Sequence, residues 1–523
     1  MRLWAQAVRN AATLCGKGSD PLLVVRWIFL RLVGGVYLII FAGIITEGRA
    51  LIGPSGIAPA ADYCAAIARM IPNPVERAFL VPSLLWFDAG GAAISGWAWT
   101  GLGAALAVTL NVWPRLTLFS CWVIFLSFVS TWQLATSSIV DQLMLEVALL
   151  AIPFAPAGIW PGMGSASPPR PVAVFAMRWL LLRLMLTSGL IKFTGEDPHW
   201  RSFTAMEVMY QTSPMPTYLG YLAHHMPRWF QSFEIGLTFG AEIAAPVLAL
   251  FGGRRGRWLA FFAWMALQAG IQLTGSFGWL NTASMALGIL LLDDSMISSA
   301  AGRIGLGKLV MPPLTPNAGT RLTAHPNWRR YGLRVFLGLQ FLVALYYSGL
   351  VFASPRLMEL LAPVTRAMDL AFREFNSANA YVPYGAFPSA KYEVEFLGSN
   401  DGGRSWRSYH FKFKPQSVDR ICGFVAPRLP RFETSLQLIV RLPQCPLVPR
   451  VAVLLLSGNP DVMRLFEGDP FPDRPPNVIQ MPVYKFTFTS LKTMKETGAY
   501  WAKEYEGDYM PPVYLRPDGR IVE

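Results

Sequence analysis

The feature that most constrains this chain is a series of long apolar stretches between residues 24 and 352, separated by short loops rich in Arg and Lys. A helix rises about 1.5 Å per residue, so about 20 mostly apolar residues are needed to cross a bilayer core of about 30 Å. Nine stretches approach that length: 24–46, 89–112, 116–134, 139–157, 172–193, 231–251, 258–274, 276–292 and 331–352. The seventh and eighth are short and meet at Thr274-Gly275-Ser276, so either can be re-entrant. The first stretch is too long for a signal-peptide core and reads as a retained helix. Composition agrees: 53% of residues are hydrophobic, 15% are charged and the mean hydropathy is +0.37. These values exclude a disordered chain and a disulfide-dense secreted module.

The net charge of +13 would suit a nucleic-acid binder, but its distribution argues otherwise. Arg2, Arg9 and Lys17 precede the first span, and alternating sides from there groups Arg115, Arg170, Arg254, Arg255, Arg257, Arg303, Lys308, Arg321, Arg329 and Arg330 with them. Basic residues in short loops favour the cytoplasmic side. The expectation is a polytopic α-helical membrane protein of nine spans, with residues 1–23 cytoplasmic, a transmembrane region at 24–353 and everything beyond on the other side. No nucleic-acid partner is expected; membrane lipids are.

From about residue 365 to 523 the long apolar runs stop and strand alternation takes over. Residues 392–396 and 409–413 alternate around Asn400-Asp401-Gly402-Gly403, which predicts a hairpin, and residues 484–488 and 499–503 predict a second strand pair. Residues 432–442 and 448–466 read as helical, giving a β-rich C-terminal domain with helical inserts.

Ionisable residues within spans are costly and face protein or water. They are Arg31, Glu146, Arg178, Arg183, Glu234 and Glu242, with Lys192 at the end of the fifth span. Glu146 or Glu242 is expected to pair with Arg183. Residues 194–230 form an outer cap loop in which Glu196, Trp200 and Arg201, together with Lys192, are expected to wall a cavity, with Glu196 and Asp197 holding the lysine. His224 and His225 also lie in the cap; with His199 they suggest a metal, but adjacent histidines diverge and no carboxylate stands at a zinc-protease spacing, so no metal is assigned. Cys422 and Cys445 share the domain on the proposed oxidising side, where a disulfide can form; free, buried thiols are the alternative. No GxSxG, P-loop or HExxH pattern occurs, and no cofactor is expected.

Several segments carry a family resemblance. They include Leu51-Ile52-Gly53 with Gly56-Ile57-Ala58-Pro59, Pro82-Ser83-Leu84-Leu85-Trp86, and Asp141-Gln142-Leu143-Met144-Leu145-Glu146. The densest is RWLLLRLMLTSGLIKFTGEDPHW at 178–200, followed by YQTSPMP at 210–216, HH at 224–225, TGSFGWLN at 274–281 and LLDD at 291–294. Asn379-Ala380-Tyr381, Tyr384-Gly385-Ala386-Phe387, FKFKP at 411–415, Asn459-Pro460 and residues 507–512 continue it. Together they resemble the lipase maturation factor family. The resemblance implies a membrane-embedded factor assisting folding or maturation of a secreted client such as a lipase. The C-terminal domain would then be lumenal in an endoplasmic reticulum membrane, or periplasmic in a bacterial inner membrane. The chain departs from the family pattern at 431–437, at Gln211 and at 500–503, which bears on the client. More distantly, Gly189-Leu190-Ile191-Lys192 is similar to vitamin K-dependent gamma-carboxylases, which implies Lys192 as a base. A non-enzymatic maturation factor and an integral-membrane enzyme therefore both stay open.

Overall fold

The computed structural model describes residues 2–14, 21–133, 139–303, 305, 327–440, 445–515 and 521–522. Cys15, Lys17, Lys308 and Arg321 lie outside the described residues. Six helices are long and apolar enough to cross a membrane: Leu23–Ile52, Gly91–Leu110, Pro114–Thr131, Pro171–Thr194, Arg228–Phe251 and Tyr331–Leu350. A seventh span results if Leu280–Leu291 and Asp294–Arg303, bent by 95°, count as one.

By length and composition six or seven of the described helices qualify as spans, against the nine expected, and the stretches that fall short of that measure do so for physical reasons. Ile139–Phe154 is only 16 residues long and closes at Pro153. Gly253–Thr274 is long enough, but Arg254, Arg255 and Arg257 open it and Gln268 and Gln272 interrupt its apolar run. The segment at 276–292 starts as a helix only at Leu280 and breaks at Leu292.

Small residues let the first two spans approach closely, since helix association within lipid relies on close packing. A Cβ added at Gly101 would collide with the Phe41 ring, and one at Gly34 with the backbone of Thr109. At one end of the bundle, charged side chains close backbone groups that a helix leaves unsatisfied. The Asp294 carboxylate accepts from the amides of Val24 and Val25, each at 3.0 Å, capping Leu23–Ile52. Arg26 donates to the carbonyls of Met163, Gly164 and Ser167 (2.8–3.0 Å), and Arg178 to those of Leu14 and Leu290, both at 2.8 Å.

The other end carries the C-terminal region. Strands β1 (Lys391–Val394), β2 (Leu397–Ser399), β3 (Arg407–Ser408), β4 (Val478–Gln480), β5 (Pro482–Phe488), β6 (Trp501–Asp508), β7 (Val513–Leu515) and β8 (Ile521–Val522) form two antiparallel sheets, ordered β1-β5-β6 and β3-β2-β4-β7-β8. The pair expected at 484–488 and 499–503 is present as β5 with β6, Phe488 opposite Trp501. The first hairpin is displaced. Leu397 pairs with Ser408 and Gly398 with Arg407, while Tyr392 faces Lys485 of β5 instead of residues 409–413. Its alternation is satisfied by a strand nearly 100 residues away in sequence.

Helices Arg431–Ile439, Leu447–Leu456 and Pro460–Met463 fill the insert between β3 and β4. Phe411, Phe432 and Phe466 meet there with ring centroids 5.3–6.1 Å apart. One buried apolar cluster runs continuously from the helix bundle into this region.

Candidate functional site at the seam

A cavity of about 1050 Å³ lies where the helix bundle meets the C-terminal region. Among the described residues its walls come from 57–62, 133, 139–140, 212–214, 276–280, 383–393, 429–438 and 445–450. Both halves of the chain are needed to build it. The turn at Ser213-Pro214-Met215 is fixed by an antiparallel bridge between Pro216 and Gly275, and by donation from the Ser276 amide to the Met215 carbonyl (3.1 Å). Gly275 is required at this crossing, because a Cβ there would meet the Ser213 hydroxyl. Tyr384 packs edge-on against Phe277 at 4.8 Å and donates to Asn281 at 3.1 Å, tying residues 383–387 to the bundle.

Around this cavity a buried ion pair and a lysine-to-carbonyl bond join the two halves. Arg431 grips Asp141 through both guanidinium nitrogens (2.6 and 2.8 Å), with the Trp132 and Trp279 rings 4.8 and 5.3 Å from its Cζ. Glu393 on β1 accepts from Lys391 (3.0 Å) and Lys414 (2.9 Å), and Lys391 also donates to the Ser213 carbonyl at 2.8 Å. Burial works to raise the Glu393 pKa, but Lys414 and Lys391 outweigh it and hold the carboxyl below its usual range. Glu433 accepts from the amides of Lys412, Phe413 and Lys414; burial still dominates and pushes it up to about 7.

Deeper in the bundle, Arg183 pairs with Glu146, whose carboxylate also accepts from Gln340 (2.7 Å), the Tyr381 hydroxyl (2.7 Å) and the Asn379 amide (3.1 Å). Glu242, the other acid considered for Arg183, instead receives Lys192 with both oxygens at 2.8 Å. A π-helical turn at Gly240–Ala244 carries Glu242, and Gly189 lies against the backbone and Cβ of that residue.

This arrangement replaces the expected surroundings of Lys192. Glu196 is exposed and Asp197 caps the next helix by accepting from the His199 amide (2.9 Å), so neither holds the lysine. The Lys192 ammonium also donates to the carbonyls of Ser188 (3.1 Å) and Pro383 (3.2 Å), giving four acceptor atoms around three N–H bonds. Trp200 is buried beneath it, with the ammonium 5.2 Å from its ring, and donates to the Tyr384 carbonyl at 3.0 Å. Arg201 is exposed. The walls of the large cavity include none of Lys192, Glu196, Trp200 and Arg201, but do include Pro383 and Tyr384, which the lysine contacts.

The cap at 194–230 consists of the short helices Pro198–Arg201, Ala205–Thr212 and Tyr218–His224. It packs on β5: Tyr221 donates to the Thr489 carbonyl (3.0 Å), and Gln211 accepts from the Phe488 amide (3.0 Å). His225 bonds the Tyr221 carbonyl at 2.8 Å, while His224 rests 5.2 Å from the Phe488 ring. Burial, helped by the adjacent His225, pushes the His224 imidazole down to about 4. Among the described residues no three His, Cys, Asp or Glu side chains converge as metal ligands.

Cys422 and Cys445 both carry free thiols. The buried Cys422 thiol donates to the Phe413 carbonyl at 2.8 Å, beside a bridge to Thr217, whereas Cys445 is half-buried at the cavity wall. The remaining span residues find local partners, with Glu234 accepting from Tyr210 (2.9 Å) and Arg31 lying on the Trp27 ring.

Sequence reasoning missed Asp141, Arg431, Lys391 and Glu393 as a set, although the first two lie in segments singled out above. The available signal was a charge at the end of a span opposed by an unexplained arginine in the following domain.

Residues 24–299 match the family model described as lipase maturation factor transmembrane domain, and residues 377–511 match that of the lipase maturation factor C-terminal domain. Lipase maturation factor 1 of Bos taurus is 26% identical over 506 residues, covering 93% of this chain and 88% of its own length. Lipase maturation factor 2 of Homo sapiens is 26% identical over 599 residues (94% and 82%), and that of Gallus gallus 27% over 584 (93% and 81%). No solved structure matches the chain. The cavity and the Asp141–Arg431 pair are thus built jointly by two matched parts of one family, and this chain belongs to the lipase maturation factor family of multi-pass membrane proteins.

Proposed function

We propose that this protein assists the folding and maturation of secreted proteins such as lipases, presenting its C-terminal region to the client on the extracytoplasmic side of the membrane. The observation that carries the reading is the union of the two family-matched parts into one body through the buried Asp141–Arg431 pair. A fixed platform at the membrane surface suits a client emerging across that membrane, because little conformational freedom is lost on contact. The proposed side is supported by Arg115, Arg254 and Arg257, which bond Ala155, Ser295 and Asp293 at the bundle end where Asp294 caps Leu23–Ile52, away from the Asp141–Arg431 pair. The enclosure of Lys192 by Glu242, Ser188 and Pro383 supports a structural role for it over the base suggested by the carboxylase resemblance.

Co-expression with a panel of secreted lipases tests the reading. At least one lipase is expected to gain specific activity in the secreted fraction when this protein is present, and to lose that gain with Arg431→Met. Equal specific activity with and without the protein, for every lipase in the panel, contradicts it.

A further inference from the structure

The cavity at the seam is chemically lopsided. Most of its wall is apolar, with Ile57, Ile139, Phe277, Leu280, Phe387 and Leu429 spread around it. The buried oxygens on its walls that lack a partner gather around the Ser213-Pro214-Met215 turn. Ser213 and Ser276 are only 3% and 4% exposed, and their hydroxyls have no hydrogen-bond partner among the described residues. Gln437 donates to the Pro214 carbonyl, while its own amide oxygen also lacks a partner. Lys391, 4% exposed, donates to the carbonyls of Ser213 and Pro214 at the same turn.

Buried hydroxyls ordinarily have partners; those of Ser213 and Ser276 are closed off from the cavity as they stand, and a rotation about χ1 presents them to oxygen atoms of a ligand. A peptide would need polar partners along its whole length, since each residue carries an amide and a carbonyl. Here the buried oxygens without a partner cluster at one turn, and the other polar groups of the wall, such as Asp62, Gln133 and Arg450, are interspersed with a larger apolar surface. A volume of about 1050 Å³ is at the upper end of small-ligand pockets, which run to about 1,000 Å³. The cavity also lies beside span ends: Ile57 and Ala58 on its wall closely follow Leu23–Ile52, and Pro383 on its wall accepts from Lys192 near the end of Pro171–Thr194.

We infer that the seam cavity binds a long-chain fatty acyl group, its carboxylate or ester oxygens received by the Ser213 and Ser276 hydroxyls and its chain lying along the apolar wall. The proposal goes beyond the client reading and is testable without any client. It names one chemistry with two sources, a free fatty acid or an acyl arm of a membrane phospholipid.

The full-length protein in phosphatidylcholine nanodiscs is illuminated with one of two probes, palmitate carrying a diazirine in its chain or phosphatidylcholine carrying the same diazirine acyl chain. Labelled peptides are then mapped by mass spectrometry. Labelling is expected on residues 276–280 and 383–388, from the free acid if that is the source and from the phospholipid otherwise. Ala386 lines the cavity from an exposed position, so Ala386→Trp blocks the chain with little risk to folding and should cut this labelling about tenfold, the effect expected from filling an apolar site. Ser213→Ala with Ser276→Ala should raise the half-saturating probe concentration at least about fivefold, the effect of about one hydrogen bond. The inference is overturned if neither probe labels these segments above the membrane-spanning helices, or if both variants label like the wild type. It is equally overturned if an apolar peptide protects the segments at concentrations where unlabelled palmitate does not.

Discussion

The two ends of the helix bundle use buried charge differently. At the end away from the C-terminal region, most buried charges satisfy backbone groups: Asp294 caps a helix, Arg26 gathers three loop carbonyls and Arg178 ties Leu14 to Leu290, while Arg257 with Asp293 is a charge pair within the bundle. At the seam, charges meet charges, Asp141 with Arg431 across 290 residues and, within the C-terminal region, Glu393 with Lys391 and Lys414. The first kind fixes backbone within the bundle, and the Asp141–Arg431 pair joins two bodies. Losing a backbone cap leaves groups that water at the membrane surface can partly satisfy, whereas losing one partner of a buried pair strands a charge.

That contrast orders the expected effects of substitution. Glu146→Gln should be the most damaging, because it removes the charge facing Arg183 and weakens acceptance from Gln340, Tyr381 and Asn379 at once. A loss of about 3–5 kcal/mol is expected for stranding a buried charge, read as reduced stability of the purified protein in detergent. Adding Arg183→Met should recover much of it, and failure of the double variant to recover would break the contrast. Lys192→Met should cost less, about 2–3 kcal/mol, because the Glu242 carboxylate left behind can take up a proton. Its signature is lowered abundance in the membrane; normal abundance would remove the structural reading of Lys192.

Asp294→Ala, at the opposite end, should cost about 1–2 kcal/mol, the usual worth of a helix cap. A larger loss than that of Glu146→Gln in the same unfolding assay would invert the comparison. The smallest effect is expected in the cap. The His224 imidazole sits below its usual 6.5, at about 4, so the unfolded chain binds the proton more readily than the folded one. The stability it contributes is complete above about pH 6.5 and is lost as pH falls toward about 4. His224→Phe should therefore lose less melting temperature than the wild type on acidification from about pH 7 to about pH 5. An equal loss in the two proteins would exclude His224 as the source.

The same contrast explains what could be read from the residues. Apolar length and composition are properties of one segment, so the membrane region and the strand pair at 484–488 and 499–503 were legible. Pairing is a property of two segments, and there the sequence was ambiguous. Glu146 and Glu242 are equally acidic, but the π-helical turn at Gly240–Ala244 and the close approach at Gly189 put Glu242 beside Lys192. Residues 392–396 alternate as a hairpin arm should, yet β5 offers a longer partner. Glu196 and Asp197 are near Lys192 in sequence, but Asp197 is used as a helix cap and Glu196 stays in solvent. The cavity was not legible, because Ser213, Ser276 and Gln437 acquire meaning only when the turn at Pro214 brings them together.

The central claim is that the buried Asp141–Arg431 pair makes the bundle and the C-terminal region one body. A double-mutant cycle with Asp141→Asn, Arg431→Met and both together, read by unfolding of the purified full-length protein, measures that directly. The account predicts that each single substitution destabilises strongly and that the double loses much less than their sum, with a coupling energy of at least about 2 kcal/mol. Additive losses would contradict it.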